Sequence, residues 1–135
     1  MSNIIIMSIR KEHAENILSG KKVYEFRKNK PKKENMPYLV LLYETQNGGG
    51  AGAIVGACKM SSTINFRTCE LETPVMGIWR KTLADGGCIT PEYLKEYAKG
   101  KDVVAWCVSN PIRFKEPLPL SRFNLTRAPQ SWRYL

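Results

Sequence analysis

Long apolar runs are missing from this chain of 135 residues. The longest stretch of aliphatic and aromatic side chains, Tyr38 to Tyr43, falls far short of the roughly 20 residues that a membrane-spanning helix needs. Near the start, Ile4-Ile5-Ile6-Met7 is too short for the apolar region of a secretory signal, and no basic residue precedes it. Cysteine is equally scarce: four residues, Cys58, Cys69, Cys88 and Cys107, with no two close together. That spacing forms neither a disulfide framework nor the paired ligands that close a zinc site. Cys58 and Cys107 fall in apolar segments, where inert buried thiols are expected rather than nucleophiles. The one histidine, His13, sits among Lys11, Glu12 and Glu15, where a surface helix position is expected. No internal repeat or low-complexity linker divides the chain. One cytoplasmic domain spanning residues 1–135 is expected, with no metal and no cofactor.

A phosphate loop is also lacking. Gly48-Gly49-Gly50-Ala51-Gly52-Ala53 formally fits a dinucleotide fingerprint, but such a site needs a helix to follow, and Ile54-Val55-Gly56-Ala57-Cys58 reads as a strand. No Gly-Lys-Ser/Thr follows either, so a hairpin connection is the expectation.

What the chain does have is positive charge. Lys and Arg number 21 against 12 Asp and Glu, for a net +9. The excess lies at the two ends: +5 over residues 1–36, zero over 37–110 and +4 over 111–135. A fold that brings the ends onto one surface would present the footprint of a polyanion partner, since each cation on a phosphate releases condensed counterions. Solubility alone is the competing explanation.

The pattern of elements reads as α+β. Asn3 to Ile9 and Val23 to Lys28 have strand character, and Arg10 to Leu18 has helical spacing that Gly20 ends. Asn29 to Pro37 reads as a basic loop, and Tyr38 to Thr45 and Ala53 to Met60 as strands. Thr73-Pro74 and Thr90-Pro91 each look like an N-cap followed by proline at the first helical position, with stops at Gly86-Gly87 and Gly100. Asp102 to Ser109 is a further strand, and Ile112 to Leu120 an extended segment broken by proline. Five or six strands with three helices inserted irregularly point to a small curled or closed sheet, not a doubly wound one.

One segment carries candidate chemistry. In Gly20-Lys21-Lys22-Val23-Tyr24-Glu25-Phe26-Arg27-Lys28, the two-residue period of a strand puts Glu25 and Arg27 on one face, where they can pair. Lys22 is expected on the opposite face or at the turn. Such a group could bind phosphate through its cations and a base edge through its carboxylate. It could equally be a solvated strand face with a surface ion pair.

Gly20-x-Lys22-x-x-Glu25-x-Arg27 matches in full the G-x-K-x-x-E-x-R motif of ASCH domains. Met7 to Leu18 resembles the family's first strand and helix. Tyr43-Glu44-Thr45, the strand Ile54 to Ala57 and Ala128-Pro129-Gln130-Ser131-Trp132 are also similar to family members. The resemblance implies a PUA-like fold, a small β-barrel flanked by helices, in a superfamily associated with RNA and modified bases. It implies a cleft in which Lys22 and Arg27 meet phosphate or base oxygens and Glu25 accepts from a base or orients Arg27. Gln130 and Ser131 would close the pocket, with Lys28, Lys30, Lys32 and Lys33 tracking the backbone. Some small ASCH proteins are amidohydrolases on N4-acetylcytidine that use a Lys, a Thr and a Glu, and others are described as ribonucleases. Here Glu25 stands where those amidohydrolases have the Thr, and Asp85-Gly86-Gly87-Cys88 stands where they have the second carboxylate. The alternative function is therefore a hydrolase with Lys22 and Glu25 as an acid–base pair. Trp79 falls on an apolar helical stripe and is expected in the core, and Trp132 and Tyr134 are expected to tie down the C-terminus.

Overall fold

The computed structural model describes residues 3–67 and 81–135. Six strands form one sheet: β1 (Ile4–Ile9), β2 (Tyr24–Arg27), β3 (Tyr38–Glu44), β4 (Ala53–Arg67), β5 (Asp102–Leu118) and β6 (Trp132–Tyr134). Their order is β2-β5-β4-β3-β1-β6, with β1 and β3 parallel and every other pair antiparallel. Among the described residues three α-helical stretches accompany them, α1 (Lys11–Leu18), residues 81–86 (α2) and α3 (Pro91–Ala98), with short 3-10 turns at Lys33–Asn35 and Leu120–Phe123. The helix expected from Thr73-Pro74 begins, and Trp79 lies, outside the described residues. Among the described residues no helix is long and apolar enough to cross a membrane.

The continuous apolar character of β1 and β3 reflects burial on both faces. Ile5, Met7, Ile9, Tyr38, Val40 and Leu42 point into the main core with Trp106, Ala14 and Ile17. Ile6 and Leu41, one residue out of phase, join Ile54 and Ala57 in a second cluster on the other face. The C-terminal segment covers that cluster with Leu120, Phe123 and Leu125. A third cluster places Leu83, Leu94 and Ala98 of α2 and α3 against Phe26, Phe66, Val103 and Ala105 of the sheet.

Several local expectations are met. Gly20 ends α1 with φ +83°, in the left-handed region where glycine has no Cβ penalty. Thr90 caps α3, its Oγ1 accepting from Tyr93 N at 3.0 Å, with Pro91 next and Gly100 just beyond the end. The glycine loop is a hairpin connection between β3 and β4, pinned where the buried carboxylate of Glu44 accepts from Ala51 N at 2.9 Å. Two strands are longer than expected. β4 continues through Ser61-Ser62 to Arg67, and β5 runs through Asn110-Pro111 to Leu118. Asn110 absorbs the break with φ +52°, where the β4–β5 register shifts between Lys59–Ser109 and Ala57–Ile112.

The curled sheet is a half-barrel whose two ends are joined by side chains instead of a main-chain ladder. From the β2 end, Arg27 donates to Ser8 O of β1 and to Ser131, just before β6. Asn29 accepts from two nearby indoles, through its carbonyl from Nε1 of buried Trp106 (3.0 Å) and through Oδ1 from Nε1 of the partly exposed Trp132 (2.7 Å). Lys32 N donates to Tyr134 Oη at 2.8 Å. The basic loop after β2 therefore lies against β6, and the two charge-rich ends of the chain are neighbours.

Candidate functional site

At this seam β2, α1 and α3 enclose a cavity of about 210 Å³. Its floor is the motif. Lys22 is only 3% exposed; its Nζ lies 3.2 Å from Glu25 Oε1 and donates to Gly87 O. Lys22 precedes β2, in the turn into the strand, one of the two places expected of it, and its ammonium reaches Glu25. Two of its three N–H groups are thereby occupied. Among the described residues no further acceptor meets Nζ, which leaves one donor on a residue that lines the cavity.

Glu25 and Arg27 share one strand face, as the period of two requires. Glu25 Oε2 accepts from Arg27 Nε at 3.1 Å and from Nη2 at 2.8 Å. Nη2 also donates to Ser8 O at 2.9 Å, and Nη1 to Ser131 Oγ at 3.0 Å and Ser131 O at 3.5 Å. All five guanidinium N–H groups thus have an acceptor within the protein. Arg27 lines the cavity, and its donors hold Glu25, β1 and the C-terminal segment together. Burial alone would raise the Glu25 carboxyl; Arg27 and Lys22 outweigh it and hold the group below the ordinary carboxylate range, ionised.

His13 is not the surface residue that its sequence neighbours suggested. It is half-buried, lines the cavity, and its Nδ1 is buried without a hydrogen-bond partner. Burial, together with the nearby Lys22 ammonium, holds the imidazole below its usual value. At neutral pH it is uncharged, with one nitrogen able to accept. The helical period carried the signal: His13 is one turn before Ile17 and shares its face.

The rim holds three residues that the motif did not identify. Arg10 occupies the N-cap of α1, a position that Ser, Thr, Asp or Asn would usually fill, and makes no side-chain cap bond. Tyr93 and Tyr97, one turn apart on α3, both line the cavity, and Tyr93 is 53% exposed. An aromatic pair at this spacing on an amphipathic helix was the available clue. Lys28 is exposed beside the cavity, its Nζ 5.4 Å from the centre of the Tyr97 ring.

Of the remaining sequence candidates, Ser131 reaches the site through Arg27. Gln130 does not: it is exposed and lines a separate groove with Arg127, Pro129 and Arg133. Lys30, Lys32 and Lys33 are exposed on the adjoining loop. Cys58 is buried, and desolvation with the Glu25 charge pushes its thiol up to about 12. Cys107, expected to be buried, is partly exposed. Among the described residues no three His, Cys, Asp or Glu side chains stand close enough to hold a metal ion.

The fold resembles several solved structures. The crystal structure of ASCH from Zymomonas mobilis superposes with a TM-score of 0.76 at 20% identity, covering 98% of this chain and 87% of that one. A serine-to-alanine mutant of the same protein gives 0.76 at 19%, covering 98% and 88%. The N-terminal domain of Staphylothermus marinus McrB gives 0.58 at 8%, covering 93% and 82%. No curated protein matches the chain. The ASCH domain profile matches residues 7–118, a span that contains the whole Gly20-to-Arg27 motif together with α1, α3 and the long β4–β5 pair. This chain belongs to the ASCH domain family.

Proposed function

We propose that the domain binds RNA by taking one unpaired or modified nucleotide into the cavity above Lys22. The ASCH domain has a PUA-like fold, which is often linked to RNA binding, and the chain carries a net +9. The observation that carries the reading is the buried ammonium of Lys22, braced by Glu25 and Gly87 O, with one donor remaining at the floor of an open cavity. At about 210 Å³ the cavity is smaller than the roughly 300–1,000 Å³ of pockets for drug-sized ligands, a size suited to a single base or nucleoside. Lys22 supplies a donor for a base carbonyl, neutral His13 an acceptor, and the tyrosines an aromatic wall of the kind on which unpaired bases stack. Glu25 and Arg27 act as positioning residues. Lys28, Lys30, Lys32 and Lys33 give the neighbouring strand a phosphate-binding path.

The hydrolase alternative uses Lys22 and Glu25 as an acid–base pair. Glu25 is poorly suited to that work, because both carboxylate oxygens are engaged and its proton affinity is lowered. The test is a gel-shift titration with randomised RNA oligonucleotides at about 50 mM salt, where phosphate contacts are strong. Binding that weakens steeply with added salt and is lost in Lys22→Ala supports the reading; absence of binding overturns it. Turnover of N4-acetylcytidine or related acylated nucleosides, lost in the same variant, would replace it with the hydrolase.

A further inference from the structure

A second cavity, of about 380 Å³, opens beside the first. The two share one wall, made of Arg10, His13, Ile89 and Tyr93. We infer that the site takes two successive nucleotides, one in each cavity, with the phosphate that links them on Arg10. The inference rests on the RNA-binding reading and narrows its ligand from a free nucleoside to a step within a chain.

Three observations carry it. First, Arg10 is exposed on the dividing wall, and among the described residues no carboxylate pairs with its guanidinium. Arg27, by contrast, has no donor to spare. Second, the guanidinium lies against the glycine loop: a Cβ on Gly48 would stand 2.9 Å from Arg10 Nη2 and 3.3 Å from Nε. Gly48 also has φ +93°, so the residue that the loop needs is the one that lets the arginine pack down. An arginine already packed against the loop has less rotamer freedom to lose when it meets a phosphodiester. Third, Tyr93 borders both cavities and is more than half exposed, a ring available to a base on either side. Glu12, which also lines the second cavity, can accept from a base amino group but repels a phosphate, which places the phosphate at the shared wall and not deeper in.

Equilibrium dissociation constants for the four ribonucleosides, N4-acetylcytidine and the dinucleoside monophosphates built from them test this directly on the intact chain. At least one dinucleoside monophosphate is expected to bind roughly tenfold or more tighter than either component, the size of one charge-assisted contact. Arg10→Ala is expected to remove that gain, bringing dinucleoside and nucleoside affinities to within about twofold of each other, a difference below 0.5 kcal/mol. Lys22→Ala is expected to weaken both. Nucleoside binding with no gain for any dinucleoside, or a gain that survives Arg10→Ala, overturns the two-nucleotide site and leaves the RNA-binding reading standing. Failure of every probe, single and double, together with failure of longer RNA, overturns both.

Discussion

Arg27 Nη1 and Ser131 Oγ meet at 3.0 Å across 104 residues of sequence. The contact ties the last stretch of the chain to the strand that carries the motif. Breaking the buried Glu25–Arg27 pair by Arg27→Ala strips Glu25 Oε2 of its partner, leaving only Lys22 on Oε1, and is expected to cost about 3–5 kcal/mol. Ser131→Ala removes one hydrogen bond from a guanidinium that keeps its other acceptors, and is expected to cost only about 0.5–1.5 kcal/mol. Urea unfolding of the two variants measures both. Equal losses would show that the pair is less isolated from water than its burial indicates.

His13 makes stability depend on pH. Its imidazole titrates below 6.5 in the folded protein, because burial and Lys22 disfavour the cation. Between the lowered value and 6.5 the unfolded chain binds more protons than the folded one, so stability falls as pH drops through that window and is flat above it. Melting temperatures measured from pH 7.5 to 5.5 are expected to decline for the native chain. The decline should be shallower in His13→Asn, and an identical slope in the variant would remove His13 as its source.

The Cys58 thiol, raised to about 12, is almost wholly protonated at pH 8. Alkylation of the native chain with iodoacetamide at that pH is therefore expected to reach Cys88 and Cys107 well before Cys58. In urea the difference should vanish. Mass spectrometry of the time course reads this out, and early labelling of Cys58 would contradict its placement in the core.

Gly87 touches the site in two ways: its carbonyl accepts from Lys22, and its Cα faces the ring of Phe26. A Cβ there would crowd Phe26 and stand 3.3 Å from Leu83 O. Gly87→Ala is expected to cost about 1–3 kcal/mol through overpacking. It should also weaken RNA binding by shifting the acceptor that braces Lys22. Gly20→Ala, where a Cβ meets nothing within 4 Å, separates crowding from the strain of a positive φ, since Gly20 has only the latter.

Much of the fold was legible because local rules and tertiary packing agree. The alternation of Glu25 and Arg27, the Thr90-Pro91 start and the Gly20 stop each have a local cause, and each stands where the pattern put it. The longer strands were hidden for the opposite reason. Ser61-Ser62 and Asn110-Pro111 look like breaks, yet pairing of β4 with β5 over their whole length overrides them. The site was half legible. The motif gave its floor, but the rim comes from α1 and α3, and nothing in the sequence says that these two helices meet over β2. His13 was thus expected on the surface, and the two tyrosines carried no expectation of their own. Gln130 shows the limit of reading a segment as a unit, since its neighbour Ser131 faces the site and it does not.

The position of Ser131 also bears on when the site comes into being. Residues 131–134 supply acceptors for Arg27 and Lys32 and the backbone that pairs with β1. While this segment is still inside the ribosome, the emerged motif can form its Lys22–Glu25–Arg27 group only without its outer brace. The braced cavity is therefore assembled only once residues 131–134 have emerged, 104 residues after Arg27 in the case of Ser131.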